Sequence, residues 1–455
     1  ERASRFAAES FSRQPELLAE LRDSGDLERS YPEDHVNTAL ANSLADCADA
    51  DALARTLRRF RRREMLRILW RDFNRLAPTM ETTRDTSLLA EACIQQALDW
   101  WHAVLVADHG EPVNAAGEAQ RLLVIGMGKL GARELNVSSD IDLIFTYPDK
   151  GETAGGARPL SNQEFFIRLG QKLIGALDRQ TADGFVFRVD MRLRPYGDSG
   201  ALVLNFDAME EYYQDQGRDW ERYALIKARV IAGDPRRGDE LMKNLRPFIY
   251  RRYIDFGVIE SLRSMKEMIN AEVRRRGLQR DVKLGGGGIR EIEFIVQCFQ
   301  LIRGGRSRAL RQVALLPVLR ALEGEGCLPA RAVAELEAAY LFLRDVEHAI
   351  QGYQDKQTQT LPESEEARAA LLAAMDFDSW SGFEAALEQH RGRVSAHFAA
   401  LIAPPDKEVN AEPELAVWPA GIEADALEEL GFEDGEAVAA ALLQLRDSSR
   451  LRQLQ

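Results

Sequence analysis

The sequence predicts an α+β protein, mostly helical, in which a small mixed sheet is flanked by N-terminal and C-terminal helical regions. Three observations predict this. Apolar residues recur at helical spacing up to about Gly110, as in Leu17, Leu18 and Leu21 and again in Leu57, Phe60, Leu66 and Leu69. Short apolar strands and a glycine turn then crowd between Arg121 and Leu204. Beyond Asp207 the helical texture returns as far as Pro404. The organisation expected is a helical region over 1–117, a sheet-bearing core over 118–206, a helical domain over 207–404, and an acidic linker leading into a further segment over 405–455.

Within the first region, Arg58, Arg59, Arg61, Arg62 and Arg63 cluster on one helix. Such a run is most often a solvated face making ion pairs, and otherwise a surface for an anionic partner. His109-Gly110-Glu111-Pro112 breaks the helical pattern. A strand over 122–125 follows, then Gly126-Met127-Gly128-Lys129-Leu130-Gly131, then a second strand over 141–146. Ser161 and Glu164 form a Ser-x-x-Glu capping box, opening a helix whose apolar face is Phe166, Leu169, Leu173 and Leu177. A third strand is expected over 185–193. Four consecutive glycines, Gly285 to Gly288, interrupt the later helices, and His348 reads as a satisfied histidine in a core helix.

The chain has 455 residues, of which 45% are hydrophobic and 29% charged, the balance of a soluble globular protein with room for several domains. No run approaches the roughly eighteen apolar residues a membrane span needs. The formal charge is −14, which disfavours nucleic acid as a partner. The excess is local: Asp406 to Glu436 holds eleven acids and one lysine. Four scattered cysteines and six histidines make neither a disulfide framework nor a zinc signature, and fit a reducing cytoplasm. The opening Glu1-Arg2-Ala3-Ser4 has no initiator methionine and no signal-peptide core, and the end at Gln455 falls within a helical pattern. The expectation is a piece of a longer protein.

The chemistry concentrates on the strands. Alternation on the third strand puts Phe185, Phe187, Val189, Met191 and Leu193 on one side and Arg188, Asp190, Arg192 and Arg194 on the other. A carboxylate among guanidinium groups suits an anionic substrate held with a cation; a half-exposed strand with internal salt bridges is the alternative. On the second strand, period two turns Asp140 and Asp142 to one face and Ile141 and Leu143 to the core. Two adjacent carboxylates repel, and a hard divalent cation such as magnesium relieves them. With Asp190 on a neighbouring strand the set becomes a candidate two-metal cage for in-line attack at phosphorus.

The preceding glycine turn is no P-loop, because Leu130 rather than Ser or Thr follows Lys129. Its glycines match Rossmann spacing, but no ribose-binding acid closes a second strand. What remains is a strand-to-helix turn whose backbone N–H groups can receive phosphate oxygens. A glycine turn, then Asp-x-Asp, then a distant strand aspartate is the layout of the DNA-polymerase-beta-like nucleotidyltransferase fold.

The run from Gly126 through Glu134-Leu135-Asn136-Val137-Ser138-Ser139-Asp140-Ile141-Asp142 to Phe145 closely resembles the bifunctional glutamine synthetase adenylyltransferase/adenylyl-removing family. So do Arg188-Val189-Asp190-Met191-Arg192-Leu193-Arg194-Pro195, the segment from Lys283 to Phe294, and Asp355-Lys356-Gln357-Thr358-Gln359-Thr360-Leu361-Pro362. Gly286 departs from many relatives, which have Pro or Ala. The Glu-Leu-Asn-x-Ser-Ser-Asp-Ile-Asp wording and the long helical lead-in resemble the N-terminal, adenylyl-removing half.

That resemblance implies phosphorolysis of the AMP–tyrosine bond of adenylylated glutamine synthetase, which releases ADP, restores the synthetase and so controls nitrogen assimilation. Asp140, Asp142 and Asp190 would be catalytic and hold magnesium. The backbone at Gly128 and Lys129 would cradle a phosphate, with the Lys129 side chain or Ser139 assisting, and Arg192 and Arg194 would be candidates to hold the attacking phosphate. The implied partners are glutamine synthetase, the PII signalling protein, inorganic phosphate and ADP or ATP, in the cytoplasm, with no nucleic acid and no membrane. The glycine run with Arg290, Glu291 and Glu293 lies either over the nucleotide or at the mouth facing the synthetase. Otherwise it is a helix start with Ile289, Ile292, Val296 and Phe299 in the core and surface acids.

Three rival functions remain: the adenylylating half acting from ATP, the related PII uridylyltransferase, and a silent docking module.

Overall fold

The architecture comes from a computed structural model that describes residues 2–251, 275 and 277–402. The acidic segment expected over 405–455 lies outside the described residues. The lead-in comprises α1 (Arg5–Arg13), α2 (Pro15–Asp23), α3 (His35–Leu44), α4 (Ala50–Phe73) and α5 (Thr79–His109). Then come β1 (Gly110–Asn114), β2 (Leu123–Gly126), the single turn α6 (Gly128–Gly131), β3 (Ile141–Tyr147), β4 (Gly151–Gly155), α7 (Asn162–Asp178), β5 (Val189–Asp190) and β6 (Val203–Asn205). The remainder is α8 (Phe206–Asp215), α9 (Asp219–Leu225), β7 (Arg229–Ala232), α10 (Pro235–Ile249), α11 (Ile289–Arg303), α12 (Leu315–Gly324), α13 (Ala330–Gln354), α14 (Glu365–Met375) and α15 (Trp380–Ile402).

The α+β, mostly helical class is therefore what the chain adopts. The main sheet is mixed: β2 runs antiparallel to both β3 and β7, while β3 pairs in parallel with β5 at its start and β6 at its end. β1 and β4 form a separate antiparallel pair. The expected strand over 122–125 is found one residue later, and that over 141–146 extends to Tyr147. The Ser161–Glu164 capping box is present on both sides, and Phe166, Leu169, Leu173 and Leu177 are fully buried. They pack with Val124, Leu143 and Phe145 of the sheet and with Leu89, Ile94 and Leu98 of α5 in one apolar core. The site is thus built on a sheet whose Val124–Phe145 face is covered by α5 and α7 together.

Two expectations change. The third strand is two residues long rather than nine, because Asp190 turns the chain. Its carboxylate accepts the Arg192 N–H, Arg194 N–H bonds to Met191 O, and Gly197 N–H to Arg194 O. Arg192 and Arg194 consequently sit in a turn, not on a strand face. The helical texture after Asp207 is also broken by β7, which closes the sheet beside β2.

The α4 arginines are neither a solvated face nor a docking surface, apart from exposed Arg59. Arg58 is 2% exposed and caps the carbonyls of Gly184, Ala176 and Arg179 at the end of α7. Arg61 pairs with Asp355 at 2.7 Å, Arg62 donates to Asp183 O, and Arg63 gathers Glu20, Asp26 and Glu64. Guanidinium forks suit this work because five fixed donors can satisfy several chain ends at once. Among the described residues no helix is long and apolar enough to cross a membrane, and all four cysteines are free.

Candidate active site

The parallel register places Ile141 beside Val189 and Asp142 beside Asp190. Asp140 immediately precedes β3, so the three aspartates named from sequence meet at one end of two neighbouring strands. The glycine turn lies against them. Met127 N–H donates to Asp142 O at 2.9 Å. Gly128 has φ +53°, and a Cβ there would stand 3.5 Å from Asp142 Oδ2. The left-handed backbone thus brings bare main chain alongside the carboxylate, where a side chain would be strained. Gly131 has a different reason: a Cβ would lie 1.8 Å from Lys227 O.

Electrostatics separate the aspartates. Burial, reinforced by the charges of Asp140 and Asp190, pushes the Asp142 carboxyl up to about 6. Asp190 is held below the usual carboxylate range by hydrogen bonds from Arg192, whose Nε approaches Asp190 Oδ2 at 2.8 Å. An all-oxygen donor set in which one carboxylate resists ionising beside two others fits a hard divalent cation. The three are not drawn as tightly together as another set: Asp72, Asp345 and His348 are the group whose ligand atoms all lie within 4.8 Å of one another among the described residues.

The other sequence candidates are distributed around this end. Ser139 is buried in the loop before β3, its N–H on Asn136 O. Lys129 points away from the aspartates, its Nζ 2.9 and 3.2 Å from the two oxygens of buried Glu347 on α13. Arg192 is wrapped onto Asp190, and Arg194 donates to Met191 O and Asp198.

Sequence reasoning missed the scaffold behind the turn. Glu347 is itself fully buried; burial alone would raise it, but Lys129 and Arg344 outweigh that and hold it at about 2. Lys227 bridges Glu134 and Glu293, each at 3.0 Å. Gln351 Oε1 accepts Ser138 N–H, and Arg188 donates to Ser138 O at 2.6 Å. Lys283 also went unremarked, although it opens the glycine-run segment. Its charge acts on Asp142, Lys129, Glu293 and Glu347, so it lies within electrostatic reach of both the aspartates and the scaffold.

The glycine run serves close packing within the chain. A Cβ on Gly287 would meet Arg391 O at 2.3 Å, on Gly285 Asp281 O at 2.5 Å, and on Gly288 Lys283 O at 2.7 Å; only Gly286 is open. Ile289, Ile292 and Val296 are buried as the helix-start reading requires, but Phe299 is only half-buried and Glu293 is the ion-pair partner of Lys227 rather than a surface acid. Just before the run, Val282 N–H donates to Gln359 O and Leu361 N–H to Arg280 O, which ties in the 355–362 segment.

The chain is similar to known proteins along its whole length. Residues 2–244 match the glutamate-ammonia ligase adenylyltransferase family, and residues 263–402 match the GlnD PII-uridylyltransferase family. The chain is 52% identical to proteins from Pseudomonas aeruginosa and Hahella chejuensis, across 100% and 99% of its own length and 48% of theirs. A Nitrosococcus oceani protein is 52% identical over 99% of the chain and 48% of its own length. All three are named bifunctional glutamine synthetase adenylyltransferase/adenylyl-removing enzyme. The chain spans about half the length of these relatives and aligns with their N-terminal half. It belongs to the bifunctional glutamine synthetase adenylyltransferase/adenylyl-removing enzyme family.

Proposed function

We propose that this chain removes AMP from adenylylated glutamine synthetase by phosphorolysis. The observation that carries the reading is the set Asp140, Asp142 and Asp190 beside the Gly128 turn, with Asp142 raised to about 6 by burial and its two neighbours. Clustered carboxylates are unfavourable where nothing uses them, and the chain aligns with the N-terminal half of its relatives, the half whose wording the resemblance associates with removal.

In the reaction an oxygen of hydrogen phosphate forms a bond to the α-phosphorus as the bond to the tyrosine oxygen breaks. The proton carried by the phosphate passes to the departing phenolate, leaving ADP and free tyrosine. Asp140, Asp142 and Asp190 would hold magnesium, which when bound supplies charge neutralisation to the phosphoryl oxygens. The chain's own residues position the reactants, which is most of what such a transfer demands. The N–H groups of Gly128 and Lys129 head a helical turn proposed to receive a phosphate, and Ser139, next in sequence to Asp140, is the proposed helper. The Lys129 side chain fixes the turn through Glu347. Lys283, Arg192 and Arg194 are the cations for the attacking phosphate, the arginines offering bidentate contacts. No general base is assigned. The PII signalling protein is the proposed regulator and the cytoplasm the proposed location.

The test mixes the chain with adenylylated glutamine synthetase, magnesium and phosphate and measures ADP, with Asp140→Asn as control and uridylylated PII as a possible activator. Phosphate-dependent ADP that disappears in the control is expected, and Lys283→Met should raise the phosphate KM about tenfold or more. Label moving from ATP to unmodified synthetase, with pyrophosphate released, would assign the adenylylating reaction instead. Neither product, with PII present, would make this a docking module.

A further inference from the structure

The expected satisfied histidine of α13 is buried but not satisfied. His348 is 0% exposed, and neither ring nitrogen has a hydrogen-bond partner. A buried polar group in that condition is destabilising unless something completes it. Asp345 lies three residues earlier on α13, so both side chains leave one face of the helix. That face meets the last turn of α4 at Asp72, which is 3% exposed, and the first turns of α5 at Thr79 and Thr82.

The carboxylates are already oriented. Thr82 Oγ1 donates to Asp72 Oδ1 and Thr79 Oγ1 to Asp345 Oδ1, each at 2.7 Å. Arg75 adds a longer contact to Asp345 at 3.4 Å. Hydroxyl donors that fix a carboxylate while leaving its other lone pairs free are what metal ligands characteristically have behind them. His348 Nδ1 stands 3.7 Å from Asp72 Oδ1, beyond hydrogen-bond range. Two ligands of one tetrahedral zinc, each about 2.1 Å from it, are roughly 3.4 Å apart. One ligand atom from each of Asp72, Asp345 and His348 falls within 4.8 Å of the others.

We propose that Asp72, Asp345 and His348 form a second metal site, separate from Asp140, Asp142 and Asp190, which takes a divalent ion of the zinc class. The ligand chemistry separates the two sites. Carboxylates alone suit magnesium, whereas an imidazole with two carboxylates suits zinc and its neighbours. The ion's work is to clasp α13 to α4 and α5. Since Glu347 adjoins His348 and Gln351 lies one turn on, the clasp fixes the helix that holds Lys129 and the Ser138 backbone.

The experiment titrates the chelator-treated 455-residue chain with zinc in excess magnesium, using a competing zinc dye and elemental analysis, and repeats the titration with cobalt to read its visible spectrum. One zinc per chain is expected, with tetrahedral cobalt absorption and a zinc-dependent rise in melting temperature. His348→Gln should lose the tightly bound ion and the melting-temperature response. Thr82→Val, which removes only the hydroxyl behind Asp72, should weaken binding about tenfold or more with an unchanged circular dichroism spectrum. It carries the test if His348→Gln folds poorly. Equal zinc affinity in the wild type and both variants overturns the proposal, and so does a wild-type chain that retains no zinc against magnesium.

Discussion

The open end of β3 and β5 and the scaffold behind the glycine turn use the same residue types to opposite effect. In the scaffold every buried acid has met a base. Lys129 and Arg344 hold Glu347 at about 2 against burial, and Lys227 with Lys283 does the same for Glu293. At the strand ends Asp190 has Arg192, but Asp142 faces Asp140 and Asp190 and is pushed up to about 6. Matched charges hold the fold together; the mismatched carboxylate costs stability, which is what the proposed chemistry at this end would call for.

The comparison breaks most sharply at Asp142. Asp142→Asn should lower ADP release by about a thousandfold or more if, as proposed, Asp142 supplies a central oxygen ligand to magnesium. Without added magnesium the same change should raise stability at pH 7 by something on the order of 2 kcal/mol, as it removes a charge the folded state disfavours. Chemical denaturation with and without magnesium measures this. A variant that is inactive and less stable under both conditions would place Asp142 among the matched, structural charges.

Lys129→Met probes the opposite side. It leaves buried Glu347 without its closest cation, with only Arg344 at 4.0 Å and the charge of Lys283 remaining, and losing one member of a buried pair typically costs about 3 kcal/mol or more. The denaturation midpoint should fall accordingly, and the phosphate KM of the surviving folded enzyme should change less than in Lys283→Met. A large KM effect with unchanged stability would mean that the Lys129 side chain leaves Glu347 for substrate.

These contrasts explain what the sequence made legible. Period two in a short apolar strand turned Asp140 and Asp142 to one side, and β3 extends as the apolar run implies. Ser161 and Glu164 announced α7 because a capping box is local in sequence. The turn after Asp190 went unseen because alternation in Arg188 to Arg194 mimics a strand, whereas the Asp190 carboxylate captures the Arg192 N–H and bends the chain. Long-range pairing was also invisible. Nothing local to Gly-Lys-Leu-Gly says that Lys129 will meet Glu347, or that the α4 arginines will cap the end of α7. A lysine beside a glycine turn looks the same whether it faces phosphate or a buried glutamate.

The mildest test follows from acid titration of the scaffold. Glu293 and Glu347 lie at about 2 in the folded chain, while an unfolded glutamate titrates near 4.5. Groups depressed on folding contribute stability that is complete above the unfolded value and lost as pH falls through 4.5 toward 2. Asp142, being raised, has the opposite sign, and its contribution improves as pH falls through about 6. The wild type should therefore gain stability relative to Asp142→Asn as pH falls from 7 to 5, and the profile should drop below 4.5. Glu293→Gln should flatten the acid limb, since its lost proton uptake is part of that slope, while leaving the gain between pH 7 and 5 in place. If the variant instead flattens the upper limb, Glu293 and Asp142 titrate as one set, and the division between scaffold and strand ends does not hold.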